Sequence, residues 1–294
     1  MAVRKFEQGG WLNFMIDLPV RVFFAVFAAL PYRFGLSLAG RITSFILAPV
    51  FGVNARIRAN LLRVWPEMPE EEIRRLCHRV SDNSTRLMLE SFNIAGFIRH
   101  AKQAELSGDG ADRLLLALKN HEPVVLVSGH FGNYQTLRVL LAEKGFATAA
   151  IYRPMNNAFT NTRYIEAMNA IASPNFARGL AGTRGLLGHL RKGGAIALLN
   201  DQAAREGVEL RFFGEPALTM TSAAEFAIKY NAHLFPYYGI RQPNGVDFCV
   251  EIQEPIALAS PEDMTQSLND SLEGMVRRYP EQWFWIHRRW KQWR

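Results

Sequence analysis

Hydrophobic and polar positions change period several times along this chain, and the changes mark out its elements. Two apolar segments open it. Residues 11–31, WLNFMIDLPVRVFFAVFAALP, are apolar except for Asn13, Asp17 and Arg21, and the stretch from Phe34 to Gly52 is broken by Arg41. The uninterrupted part, Val22 to Leu30, is far shorter than the ~20 apolar residues that a bilayer span requires. Short, aromatic-rich, charge-punctuated helices suit the membrane interface, so residues 1–53 are expected to form a membrane-binding element; the alternative is that both helices are core. A cleaved signal is disfavoured because no small-residue cleavage site follows the first apolar run, and the surrounding Lys and Arg favour a cytoplasmic face.

Beyond residue 53 the periods become those of a folded domain, 54–294. Asn54–Val64 reads as a helix carrying Arg56, Arg58 and Arg63. After the Trp65-Pro66 break, acids at Glu70, Glu71 and Glu72 precede apolar residues at Ile73, Leu76, Val80, Leu87 and Met88. That is the spacing of an amphipathic helix on a sheet, with acids favoured in its first turn. From about residue 103 the pattern is βαβα. Helix Ala111–Lys119 leads to strand Val124–Val127, helix Tyr134–Lys144 and strand Ala147–Tyr152. Helices Thr160–Ile171 and Thr183–Arg191 precede strand Ala195–Leu199. Helix Ser222–Tyr230, a hairpin of His233–Ile240 with Phe248–Ile252 around Pro243-Asn244-Gly245, and helix Pro261–Arg278 follow. Alternation of this kind predicts an α/β fold, a central mixed and mainly parallel sheet flanked by helices, with the membrane-associated helices at its N-terminus.

The segment VVLVSGHFGNYQ, residues 124–135, carries the clearest chemistry. A buried strand ends at Ser128-Gly129, His130 follows, Gly132 allows a tight turn, and Asn133 stands where a helix N-cap belongs. A histidine at the carboxyl end of a strand faces the crevice where open α/β sheets hold ligands. Near pH 7 a neutral imidazole can take the proton of a hydroxyl nucleophile.

Composition narrows the classes. Cys77 and Cys249 lie far apart without metal-ligand spacing, so neither metal nor thiol chemistry is expected, and no cofactor is called for. The net charge of +7 favours anionic partners. No nucleic-acid-binding motif appears; a membrane or an acidic carrier protein fits the aromatic content better.

Five blocks in order carry a family resemblance: NLLRVWPEMPEEEIRRL, GHFGNYQ, IYRPMNN, NDQ followed by RFFGEPALTMT, and WFWIHRRWK. The chain resembles the lauroyl/myristoyl acyltransferases of lipid A biosynthesis, within the His-x4-Asp/Glu glycerolipid acyltransferases. The resemblance implies transfer of a fatty acyl chain from acyl carrier protein to a hydroxyl of a lipid A precursor, at the cytoplasmic face of the inner membrane, by direct attack on the thioester. It makes His130 the general base. At the position of the acidic residue that orients the base, this sequence has Gln135. A glutamine can hold the productive tautomer but cannot stabilise the imidazolium. Gln135 is thus a near-isosteric replacement of Glu, a natural residue beside a substitute carboxylate, or the mark of a chain that has lost activity. Asp201, in NDQ after strand Ala195–Leu199, is the leading substitute; its plainer role is to cap a turn.

Among candidate substrate-binding residues, Arg153 ends a strand ahead of Pro154-Met155-Asn156-Asn157 and is expected to grip a phosphate of the acceptor or of the pantetheine arm. Asn133 caps its helix or contacts substrate. Gly214 and Thr221, in and after RFFGEPALTMT, offer a backbone N–H and a hydroxyl to an oxyanion or phosphate, unless the segment is a turn packed on the core. The tail WFWIHRRWKQWR alternates tryptophan with basic residues, suiting a headgroup layer or an acidic carrier, with some tryptophans in the core. Two further readings stand beside the lipid A one: acylation of another membrane lipid, such as a lysophospholipid or glycolipid, and a non-catalytic lipid- or carrier-binding homologue.

Overall fold

The computed structural model describes residues 10–291. One sheet holds seven strands in the order β1 (Glu105–Ser107), β9 (Phe248–Ile252), β8 (His233–Arg241), β2 (Val124–Ser128), β5 (Ala195–Leu199), β3 (Thr148–Tyr152) and β4 (Asn175–Ala177). The β8–β9 pair is antiparallel; the other pairings are parallel. This is the mixed, mainly parallel α/β sheet that the periodicity predicts.

Strand β2 is buried throughout, and apolar from Val124 to Val127, because both of its faces are covered. Leu126 packs with Leu114 of α7 (Ala111–Lys119) and with Leu137 and Leu141 of α8 (Thr136–Glu143). On the other face, Val125 and Val127 meet Leu186 of α10 (Leu180–Arg191), Ala224 of α11 (Ser222–Tyr230) and Leu268 of α12 (Pro261–Arg278). Each such fully buried aliphatic side chain contributes about 1.5–3 kcal/mol. The chain leaves β2 towards β3 on one side and leaves β5 towards β8 on the other. The carboxyl ends of the neighbouring strands β2 and β5 therefore form a topological switch point, where α/β sheets place ligands.

The N-terminal helices do not stand apart from this core. Helix α1 (Trp11–Ala28) and helix α2 (Tyr32–Ile42) pack Phe24, Phe27, Leu36 and Ala39 against Leu89 of the long helix α5 (Glu70–Phe92) and Val246 of the β8–β9 turn. Asp17, read from the sequence as a break in an apolar run, is buried and accepts hydrogen bonds from Arg163 at 2.5 Å and Thr160 at 2.6 Å, both in α9 (Ala158–Ile171). Helix α2 continues through a π-type turn (Thr43–Leu47) and α3 (Ala48–Val50); this stretch then meets α4 (Val53–Val64) at 86°. Among the described residues, no single helix is long and apolar enough to cross a membrane, although the bent pair 32–64 passes that test together.

In two segments the core-packed alternative holds. RFFGEPALTMT is not an open loop: β6 (Val208–Phe212) and β7 (Glu215–Thr219) form a separate hairpin, turning at Phe213 and Gly214 with φ of 55° and 75°. A turn with both central residues in the left-handed region matches strand twist, and glycine takes that conformation at little cost. The basic aromatic tail is largely interior through residue 290, with Arg288 exposed. Trp283, Trp285 and Trp290 are buried with Phe212 and Phe213, and Arg289, also buried, donates to Thr219 Oγ1 at 2.5 Å. Tail residues 292–294 lie outside the described residues.

Candidate active site

The loop after β2 is shaped by close backbone contacts. Gly132 has φ of 51°, and a Cβ there would lie 2.0 Å from the carbonyl oxygen of Gly239 in β8, so both conformation and space demand glycine. The loop is pinned along its length: Asn133 N–H donates to Gly239 O, Gly132 N–H donates to Gln282 O, and Phe284 N–H donates to His130 O. The chain after α12 thus forms the wall behind His130.

On the ring, His130 Nδ1 lies 2.7 Å from Asp201 Oδ1, and the His130 backbone N–H donates to Asp201 Oδ2, also at 2.7 Å. Trp283 Nε1–H adds a third bond, to Oδ2 at 2.9 Å. Because the carboxylate only accepts, Nδ1 carries the proton and Nε2 presents its lone pair. Among the described residues, Nε2 has the Gln202 amide as its one hydrogen-bonding neighbour, at 3.4 Å, and the His130 side chain is 23% exposed against 3% for Asp201. Burial alone would raise the Asp201 carboxyl, but attraction to His130 and these three donors hold it well below the usual carboxylate range. For His130, burial pulls the imidazole down, and the Asp201 charge and hydrogen bond overcome it, leaving the ring more basic than an ordinary histidine.

Gln135 does not occupy the orienting position on the ring. Its Oε1 accepts from Arg138 Nη1 at 3.1 Å, and Arg138 is anchored on Thr148 O, Ala172 O and Asn175 Oδ1. The physical reason is the start of α8, whose N-cap is Gln135 itself; this sends the side chain along the helix towards position 138. Asn133 makes the capping bond of the turn that leads into this helix, as its place in the sequence predicts. Its Oδ1 accepts from Gln135 N–H at 3.0 Å and its Nδ2 donates to Glu90 Oε2 at 2.7 Å, with the residue 1% exposed. These contacts make Asn133 a brace for the loop rather than a surface for substrate.

The brace reaches far. Arg241 grips both Glu90 oxygens, at 2.5 and 2.8 Å, and donates from Nε to Asn83. Gln282 in turn bonds the Arg241 backbone on both its N–H and C=O. Breaking such a buried pair by removing one partner typically costs 3–5 kcal/mol. His287 holds the other half of the site: its Nε2 accepts from Ala203 N–H at 3.1 Å, and burial pushes its pKa down, which keeps it neutral.

The remaining candidates are separated. Arg153 is exposed just past β3, and Arg178 just past β4 is its neighbour, since Tyr152 pairs with Ala177 and Arg178 N–H donates to Tyr152 O. Gly214 occupies the hairpin turn, and the Thr221 hydroxyl donates to Glu225 at 2.5 Å. No hydrogen bond or ring contact joins Gly214 or Thr221 to His130 among the described residues. Sequence reading missed Trp283, Gln202, Glu90, Arg241 and His287. Of these, Gln202 lay in the NDQ block and Trp283 and His287 in the WFWIHRRWK block, whereas Glu90 and Arg241 carried no local signal.

An α/β sheet whose switch point holds a buried carboxylate against an imidazole is built for general-base chemistry on a bound substrate. The chain belongs to the family of bacterial lipid A biosynthesis acyltransferases, which it matches over residues 11–292. It is 22% identical over 269 residues to a lipid A biosynthesis acyltransferase of Haemophilus influenzae, covering 90% of this chain and 84% of that protein. It is 26% identical to the lipid A biosynthesis lauroyltransferase of Escherichia coli K12, over 80% of this chain and 78% of the relative. A phosphatidylinositol mannoside acyltransferase of Mycolicibacterium smegmatis is 24% identical over 89% of this chain and 90% of its own length.

Proposed function

We propose that this protein transfers a fatty acyl chain from acyl carrier protein to a hydroxyl of a lipid A precursor at the cytoplasmic face of the inner membrane. The observation that carries the reading is the 2.7 Å contact between His130 Nδ1 and Asp201, with Nε2 left for substrate. The acceptor hydroxyl gives its proton to Nε2 as its oxygen attacks the thioester carbonyl. The imidazolium, stabilised by Asp201, then protonates the departing thiolate as the C–S bond breaks. Asp201 supplies the charge that Gln135 lacks, which removes the main reason to read the chain as a non-catalytic homologue. Arg153, with Arg178 beside it, binds a phosphate of the acceptor or of the pantetheine arm.

Apolar side chains left in solvent support the membrane placement. Trp11, Ile16, Val22 and Val26 of α1 are more than half exposed, as are Phe45, Ile46, Val50 and Phe51 around the bend before α4. Residues 1–53 serve as an interfacial anchor on the α/β domain of 54–294. The names of the relatives keep a second acceptor class in view, since a protein of similar identity acts on a mannoside of phosphatidylinositol. Acyl-carrier thioesters of several lengths, offered with a lipid A precursor or a phosphatidylinositol mannoside, test the reading. Transfer to the precursor supports it; transfer to the mannoside alone replaces the acceptor, and transfer to neither refutes it.

A further inference from the structure

Helices α4 and α5 form a hairpin whose outer surface carries a cleft of about 170 Å³, sharing no residue with the His130 site. Asn54 and Arg58 of α4 line it opposite Glu70, Arg74 and His78 of α5, and Ile73 and Cys77, which also line it, are largely buried. Arg58 is paired with Glu70, which cancels one charge of each sign. Arg74 is exposed and meets Glu70 only as a neighbouring charge, so two guanidiniums against one carboxylate leave the cleft net positive. The buried Asn54 Oδ1 has no donor, and an unpaired buried acceptor of this kind costs about 1–3 kcal/mol. His78 points Nδ1 at Ser44 O, 3.1 Å away, so that nitrogen is the donor, and its ring stacks on Phe45 at 4.3 Å. Phe45 is 64% exposed, and Phe51, three residues before Asn54, is 74% exposed.

A cation and an orphan acceptor in a cleft with apolar lips fit an anionic phosphate ester that carries hydroxyl groups and trails hydrocarbon. Phosphocholine offers no donor to Asn54, and phosphoethanolamine brings an ammonium beside two guanidiniums. We infer that this cleft seats the phosphoglycerol headgroup of an anionic membrane phospholipid. The phosphate lies on Arg74 and on the N–H groups of Arg58 not used by Glu70, a headgroup hydroxyl donates to Asn54 once that side chain rotates its shielded oxygen into the cleft, and the acyl chains pass Phe45 and Phe51. The site orients the N-terminal helices on the bilayer and makes adhesion depend on lipid charge. It rests on the membrane placement proposed above and is independent of the acyl-transfer chemistry.

Isothermal titration of the full chain with dihexanoyl phosphatidylglycerol and dihexanoyl phosphatidylcholine, both kept monomeric, tests it without a bilayer. Saturable binding of the glycerol lipid alone is expected, weakened about tenfold or more in Arg74→Gln, the loss of one charge-assisted contact. Arg74 is exposed, so this variant should keep its fold. Sedimentation with vesicles of phosphatidylcholine, with and without phosphatidylglycerol, should show adhesion enhanced by the anionic lipid in wild type and not in Arg74→Gln; Phe45→Ser should weaken adhesion to both. Equal binding of the two short-chain lipids, or an unchanged Arg74→Gln affinity, overturns the site. Charge-dependent binding in a protein that transfers no acyl chain would uphold the site while refuting the proposed reaction, and the converse result would do the reverse.

Discussion

Asp201→Asn should be far more damaging than a loss of one charge suggests, because the surroundings dictate which way the amide faces. Two N–H donors, the His130 backbone and Trp283 Nε1, converge on Asp201 Oδ2. An asparagine must place its oxygen there, since its NH2 group would oppose both. The NH2 is then turned towards His130 Nδ1, which lies 2.7 Å from the other carboxylate oxygen. Nδ1 becomes the acceptor, the ring proton moves to Nε2, and the nitrogen that should take the acceptor's proton no longer has a lone pair. The same tautomer error in a serine-protease triad lowers the rate about 10⁴-fold, or ~5 kcal/mol of barrier. The fold should persist, because the two bonds to Oδ2 survive. Steady-state acyl transfer from a carrier thioester, with circular dichroism and thermal melting alongside, measures both quantities. The expected result is a fall in kcat of about 10⁴ with little change in KM. A loss of less than about tenfold with an intact fold would refute the reasoning, because it would mean that Asp201 does not set the tautomer.

Three further outcomes follow from the same geometry. Gln135→Glu should change the rate by less than about threefold, because a carboxylate there pairs with Arg138 rather than His130; a gain of orders of magnitude would show that position 135 reaches the ring. The pH profile of kcat/KM should carry its acidic limb above the ordinary histidine value. The base works only when neutral, and Asp201 raises the pH at which His130 gives up its proton, so activity is lost as pH falls through that raised value. In Asp201→Asn the limb should move to lower pH, and an unmoved limb in the variant's residual activity would assign it to another group. Arg153→Ala should raise KM for phosphorylated acceptor or pantetheine donor by about tenfold or more with an unchanged melting temperature, and Lys should restore only part; equal kinetics for wild type and Ala would remove Arg153 from the site.

The alternation of periods made the α/β architecture legible, and the strand–His–Gly–Asn turn pointed to the sheet edge that holds the site. The acidic partner was hidden because spacing along the chain pointed to Gln135, whereas the carboxylate on the ring lies 71 residues away, after a strand that β2 meets only in the folded sheet. Asp201 entered the sequence reading because NDQ follows strand Ala195–Leu199, which puts it at the carboxyl edge of the sheet. The three-residue strands β1 and β4 are too short to show a period. The β6–β7 hairpin has only five residues per strand, and the partners that bury Phe212 and Phe213 are tryptophans from the far end of the chain. For the same reason the tail resembled a membrane surface: in isolation, tryptophan alternating with arginine looks the same whether it meets lipid or a core with buried acceptors such as Thr219.

His130→Ala tests the central claim most directly. Purified wild-type and variant proteins, matched by circular dichroism and vesicle binding, would be given an acyl-carrier thioester and a lipid A precursor, and the acylated product followed by mass spectrometry. With Nε2 gone, the acceptor hydroxyl should remain unacylated in the variant while wild type forms product. Acyl transfer by His130→Ala at a rate comparable to wild type would contradict the account, because the reaction would then proceed without the base that the His130–Asp201 pair is built to supply.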